Sequence, residues 1–276
     1  MFSKEGCVYN NKVSLHFYEW GAKDGLPIVF LHGLQATALH YEEFCSSLAR
    51  KYRVFALDFR GHGGSDKPVE GYELFDYISD VRALVEALKL EDPVVIGHSL
   101  GAIVSMVYAA EYKAMAVIAM EAPSIVFHHT TAKVTIPFFL LSIKLKMPNE
   151  FSNREEAVRY FRKAGVESHE IDRAIIRNLN VRSNGKLTWK FSWPAVEKTL
   201  KNIAKVDLWK FIPKIKCPVL LIRGEKGLFR EKDAKKLAEI IPKSQMIKIK
   251  EAEHDVFQDN LNEVLMQIES FLTKLK

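Results

Sequence analysis

The chain is expected to adopt an α/β fold: a mostly parallel sheet covered by helices on both faces, with a helical insertion. Three observations carry that expectation. Short apolar runs alternate with helical periodicity through residues 27–120 and again after 218. One run, Val94-Val95-Ile96, leads straight into Gly97-His98-Ser99-Leu100-Gly101 and then into the small-residue apolar stretch from Ala102 to Ala110. Between about residues 124 and 207 the alternation lapses, and helices and loops but no convincing strand are expected.

The elements follow in order. Cys7-Val8-Tyr9 and Val13-Ser14-Leu15-His16-Phe17-Tyr18 flank Asn10-Asn11-Lys12, the pattern of an opening hairpin. Pro27-Ile28-Val29-Phe30-Leu31 is a continuous apolar run ending at His32-Gly33, as a strand buried on both faces would be. Residues 41–50 have helical spacing, and Tyr52-Arg53-Val54-Phe55-Ala56-Leu57-Asp58 reads as a strand. Over 74–90, Ile78, Val81, Leu84, Val85 and Leu88 form a helical stripe. Met115-Ala116-Val117-Ile118-Ala119-Met120 is the strand after the Gly-His-Ser-Leu-Gly segment. Beyond the interruption come a strand at Pro218-Val219-Leu220-Leu221-Ile222, a helix over 231–240, a strand at Gln245-Met246-Ile247-Lys248-Ile249 and a closing amphipathic helix over 260–275. The expected division is a core of residues 1–123 and 208–276 with a helical lid over 124–207.

Bulk properties suit an ordinary soluble globular protein. The 276 residues are 48% hydrophobic and 27% charged, enough for one large core. The net charge of +6 is spread out, with Lys201, Lys205, Lys210, Lys214 and Lys216 answered by Glu197 and Asp207. No basic-aromatic interleaving suggests nucleic acid as a partner. Cys7, Cys45 and Cys217 lie far apart without metal-ligand spacing, so a reducing, cytoplasmic setting is expected. The opening Met1-Phe2-Ser3-Lys4-Glu5-Gly6 lacks the apolar region of a secretory signal. The most apolar segment, from Ile136 to Ile143, is broken by Pro137 and too short to span a bilayer, so no stable membrane insertion is expected.

Strand, G-x-S-x-G and helix in succession form a nucleophile elbow. The tight turn holds Ser99 in a backbone conformation that side chains normally avoid, and Gly97 and Gly101 carry no Cβ to collide with neighbouring backbone. A serine hydroxyl needs a base within hydrogen-bond reach, and the base needs an orienting group. His254, between the last strand and the last helix, is the best-placed base. His98 and His62 read as structural, while His128 and His129 fall in the lid, where pocket and surface positions are equally open.

In order and spacing, His32-Gly33, Asp58-Phe59-Arg60-Gly61-His62-Gly63-Gly64-Ser65, the Ser99 elbow and His254 resemble the α/β-hydrolase fold family over essentially the whole chain. The resemblance implies an oxyanion hole from the backbone N–H groups of Leu34 and Leu100. It implies turn-stabilising roles for Asp58 and Arg60. Many relatives place an Asp after the strand that follows the lid, where this chain has Gly227. Three arrangements stay open. Glu121 supplies the acid from the strand before the lid, a site some relatives such as haloalkane dehalogenases use; Glu225 reaches across; or Ser99 and His254 form a dyad in a non-catalytic relative. The order Ser99, Glu121, His254 favours the first.

A serine nucleophile implies acyl transfer through an acyl-enzyme, with no metal or organic cofactor. The expected function is a carboxylesterase for small to medium apolar esters, with Phe127, Phe138 and Trp189 lining the substrate pocket. Thioesters, lactones, amides and C–C bonds suit the same triad, and a ligand-binding protein on the same scaffold is the alternative of another class.

Overall fold

The computed structural model describes residues 4–275; residues 1–3 and 276 lie outside it, as do the side chains of Ile125, His129, Thr130 and Lys133. The reading of residues 1–3, and the open choice between pocket and surface for His129, therefore fall outside the described part.

The opening hairpin is β1 (Lys4–Asn10) paired with β2 (Val13–Trp20). Then follow β3 (Pro27–Leu31), a 3₁₀ turn (Ala38–Tyr41), α1 (Glu42–Leu48), β4 (Arg53–Leu57), α2 (Leu74–Ala87), β5 (Val94–His98), α3 (Leu100–Glu111) and β6 (Ala116–Met120). Between β6 and its sheet neighbour lie α4 (His129–Lys146), β7 (Glu150–Phe151), α5 (Arg154–Lys163), α6 (Ile171–Asn178), β8 (Leu179–Val181), β9 (Leu187–Trp189) and α7 (Trp193–Ile203). The chain returns through β10 (Val219–Gly224), α8 (Glu231–Ile240), β11 (Ser244–Ile249), the short α9 (Val256–Asp259) and α10 (Leu261–Thr273).

Eight strands form one sheet in the order β1-β2-β4-β3-β5-β6-β10-β11. β1 and β2 are antiparallel additions at one edge, and every pairing from β4 to β11 is parallel. Burial on both faces follows the two-residue period of a strand. Val29, Leu31, Val95, Val117 and Leu221 pack on one face with α2, α3 and α8. Ile28, Phe30, Ile96, Ile118 and Ile222 pack on the other with α1 and α10. Each such side chain contributes roughly 1.5–3 kcal/mol when removed from water. Parallel strands carry their chain connections over the faces, so β3, β5, β6 and β10 all end on the same edge, and loops from distant parts of the sequence meet there.

The excursion from β6 to β10 has its own core, in which Ile136, Phe151, Phe161, Trp189 and Val196 are buried together. The sequence reading gave it no strand. It contains a small antiparallel sheet, β7-β9-β8, whose two- and three-residue strands are too short to show alternation.

Candidate active site

Ser99 sits between β5 and α3 at φ 54°, ψ −114°, a conformation that costs a side-chain-bearing residue about 1–3 kcal/mol. The neighbouring glycines make the turn possible. A Cβ on Gly97 would lie 2.0 Å from the Gly101 carbonyl oxygen, and one on Gly101 would lie 2.1 Å from that of Leu31. The Ser99 N–H is anchored on the Met120 carbonyl at 2.9 Å, and the Ser99 carbonyl starts α3 by accepting from the Ala102 N–H at 3.1 Å. The hydroxyl therefore stands at a rigid corner, at the positive end of a helix whose Leu100 to Ala109 are all buried.

His254 follows β11 and Glu121 follows β6. The His254 Nδ1 lies 3.1 Å from Glu121 Oε2. A carboxylate only accepts, so Nδ1 carries the proton and Nε2 keeps its lone pair. Glu121 is fully buried, yet its charge is met. Oε1 accepts from the Gly224 N–H at 2.7 Å, and Oε2 accepts from the Leu228 N–H at 2.7 Å and the Phe229 N–H at 3.3 Å. Glu121 itself is held at φ 51°. The departure at Gly227 finds a spatial counterpart: a Cβ there would lie 2.3 Å from Glu121 Oε1. The Glu121 carboxylate occupies the space that a side chain at 227 would enter. Glu225 faces elsewhere, bonded to Lys248 Nζ at 2.6 Å and to the Glu251 N–H at 3.1 Å.

Three further histidines brace the loops around Ser99, each neutral because burial holds it below the ordinary imidazole value. His32 donates from Nδ1 to the Gly33 carbonyl at 2.7 Å and accepts at Nε2 from the Phe59 N–H at 2.9 Å. His62, pushed down to about 3, donates to the Arg60 carbonyl and accepts from the Gln35 N–H at 3.4 Å. His98 donates from Nε2 to the His254 carbonyl at 2.8 Å, which leaves its Nδ1 to accept from the Tyr41 hydroxyl at 2.7 Å. Tyr41 in turn accepts from the Gly33 N–H at 3.2 Å. One chain of hydrogen bonds thus runs from the Gly33 loop through Tyr41 and His98 to the backbone of His254. Sequence reasoning missed Tyr41, and nothing in its helical surroundings signals a polar role.

Asp58 and Arg60 are structural. Burial alone would raise the Asp58 carboxyl; the His16 ring, with Nδ1 3.4 Å away, and the N–H groups of Ala38 and Gly64 hold it below the usual range. Arg60 makes a bidentate pair with buried Asp80, at 2.6 and 2.5 Å.

Ser99, His254, Leu34 and Leu100 all line one cavity of about 270 Å³. Its deeper walls are apolar, with Ile103, Val126, Ile136, Phe139, Leu200 and Ile203. The three pocket residues expected from the sequence are elsewhere. Phe127 is buried against Trp209 and Phe229. Trp189 is in the core of the excursion, stacked on Phe191. Phe138 is 71% exposed on α4, while its neighbour Phe139 turns toward the cavity. An aromatic residue in a helix faces core, solvent or cavity according to its phase, and the low periodicity around Pro137 hides that phase.

Comparison with known proteins places this geometry in context. A crystal structure of E-2-(acetamidomethylene)succinate hydrolase superposes with a TM-score of 0.84 at 25% identity, covering 98% of this chain and 99% of that one. An AB hydrolase superfamily protein of Bacillus subtilis is 25% identical over 90% of this chain and 91% of its own. A non-heme chloroperoxidase of Streptomyces lividans is 45% identical over 32% of each chain. The 2-(acetamidomethylene)succinate hydrolase of Mesorhizobium japonicum is 37% identical over 37% of this chain and 36% of its own, so both of these matches span only about a third of the relative. The family model described as alpha/beta hydrolase fold matches residues 27–261, and the chain belongs to that family.

Proposed function

We propose that the protein is a serine hydrolase in which Ser99 is the nucleophile, His254 the base and Glu121 the orienting acid, and that its substrates are carboxylic esters with a compact apolar acyl group. The observation that carries this reading is the buried Glu121 carboxylate bonded to His254 Nδ1 at 3.1 Å, while His254 and Ser99 line the same apolar cavity.

The chemistry follows from that arrangement. His254 Nε2 takes the Ser99 proton as Oγ attacks the ester carbonyl, and Glu121 stabilises the imidazolium that forms. The N–H groups of Leu34 and Leu100 receive the oxyanion, each worth roughly 3 kcal/mol in transition-state stabilisation. The imidazolium protonates the leaving oxygen. Water, with its proton taken by His254, then releases the acid from Ser99. Residues 124–207 act as a lid: Val126, Ile136, Phe139 and Leu200 from this segment wall the cavity and exclude water from the acyl-enzyme.

The test is labelling by a fluorophosphonate probe, together with turnover of p-nitrophenyl butyrate. Both are expected in the native protein and lost in Ser99→Ala. An unlabelled native protein that still binds small apolar esters would support a ligand-binding role instead. A panel of thioesters, lactones and amides of the same acyl group ranks the bond cleaved.

A further inference from the structure

The apolar cavity is one of two spaces that meet at Ser99. Leu34, Gln35, Ser99 and His254 also line a cleft of about 210 Å³, whose remaining walls include His40, Asn178 and Asp255. His40 and Asn178 in turn line an outer groove of about 550 Å³, between α6 on one side and α9 and the start of α10 on the other. The cleft at Ser99 and the groove therefore adjoin at a neck lined by His40, Tyr41 and Asn178.

The two arms differ in chemistry. Ile103, Val126, Ile136 and Ile203 give the cavity apolar walls. The neck is polar and its side chains are held. Asn178 donates to the Ala174 carbonyl at 2.8 Å, and the Gln258 amide donates to His40 Nε2 at 2.9 Å. Beyond it the groove mixes Glu43, Arg177 and Gln258 with Phe44 and Phe257.

Acyl transfer gives the arms unequal tasks. The acyl group stays bonded to Ser99 Oγ while the ester C–O bond breaks, and the leaving oxygen departs with the proton from His254. The first product must leave, and water must enter, with the acyl group still in place. An apolar cavity suits the group that stays, and a more polar passage suits the group that goes. Resting on the serine-hydrolase reading above, we propose that the His40–Asn178 neck is the leaving-group passage, and that the substrates are esters whose leaving alcohol is extended and polar, reaching through the neck into the groove.

The experiment compares three butanoate esters: methyl, octyl and triethylene glycol monomethyl ether. The native enzyme is expected to show kcat/KM at least tenfold higher for the glycol ester than for the methyl ester, and higher than for the octyl ester. Asn178→Trp, which fills the neck, is expected to lower the glycol-to-methyl ratio tenfold. Ala174→Trp, on the groove wall, repeats the test if the first variant does not fold. A ratio near one in the native enzyme, a preference for octyl, or an Asn178→Trp effect that follows acyl length instead would overturn the assignment. Fluorophosphonate labelling separates the failures: a labelled enzyme without the preference removes this proposal alone, and an unlabelled one removes the hydrolase reading with it.

Discussion

The carboxylate of Glu121 and the missing side chain of Gly227 occupy one volume: a Cβ at 227 would stand 2.3–2.4 Å from all three carboxylate atoms. The two positions are 106 residues apart in sequence and exclude each other in space. An acid can approach His254 from β6 or from the loop after β10, but not from both at once.

That exclusion makes a swap experiment decisive. Gly227→Asp alone forces a second carboxylate against a fully buried one, and a loss of several kcal/mol in stability is expected. Glu121→Ser with Gly227→Asp removes the conflict. The double variant is expected to be more stable than Gly227→Asp and to regain esterase activity well above Glu121→Ser, as read by denaturant melts and p-nitrophenyl butyrate turnover. Additive losses in the double variant would contradict the shared-volume account.

Glu121→Gln is expected to cut kcat by about ten-thousand-fold, as when a triad Asp becomes Asn. The amide also places an NH₂ against N–H donors, because Gly224 serves one carboxylate oxygen and Leu228 and Phe229 the other. An added stability loss of about 1–3 kcal/mol follows from leaving those donors unmatched. Glu225→Gln, which touches a surface pair with Lys248 and the bond from the Glu251 N–H, both away from His254, is expected to change kcat less than twofold.

The Tyr41–His98 relay predicts a positioning effect. Tyr41→Phe leaves the Gly33 N–H and His98 Nδ1 without a partner. Both line the cleft beside Ser99, one on the loop before Leu34 and one bonded to the His254 carbonyl. The expected result is a roughly tenfold fall in kcat with little change in KM, alongside about 1–3 kcal/mol of lost stability. Unchanged kcat in a destabilised variant would confine Tyr41 to a purely structural part.

Strain at the nucleophile predicts a trade. Ser99→Gly relieves a positive φ of 54° and is expected to raise stability by about 1 kcal/mol while abolishing turnover. A Ser99→Ala control retains the Cβ and should show little of that gain.

Acid sensitivity follows from the buried histidines. His32, His62 and His98 have folded pKa values depressed by burial, so the unfolded chain binds protons that the folded chain refuses. Their contribution is fully present above pH 6.5 and is lost as pH falls through that window. For His62, lowered to about 3, the loss is about 1.4 kcal/mol for each pH unit below 6.5. His16 works in the opposite sense: the adjacent Asp58 carboxylate raises it, so its contribution is present below pH 6.5 and lost as pH rises through its folded value. His40 is lowered by burial as well, so with four against one the melting temperature is expected to fall between pH 6.5 and 5, and His62→Gln should flatten that slope.

The sequence made the core legible because its strands are buried on both faces and therefore written as unbroken apolar runs. The elbow was legible because its chemistry is local: Gly97, Ser99 and Gly101 sit in five consecutive residues. Glu121 was legible only as one of three options, since its donors, Gly224, Leu228 and Phe229, come from more than a hundred residues later. The pocket was read poorly. Which of Phe138 and Phe139 turns inward depends on how α4 is rotated against α7 and the core, and a local pattern does not encode that rotation.

The donors that neutralise Glu121 also bear on how the molecule is made. A nascent chain that has emerged only through β6 and α7 carries Glu121 without the β10 loop that holds it, so its carboxylate stays hydrated and the sheet edge beside β6 stays open. Docking of β10 covers the β6 edge and meets the charge in one event. A ribosome-bound fragment ending before residue 219 should therefore be catalytically silent, and it should remain a client for chaperones until the last fifth of the polypeptide arrives.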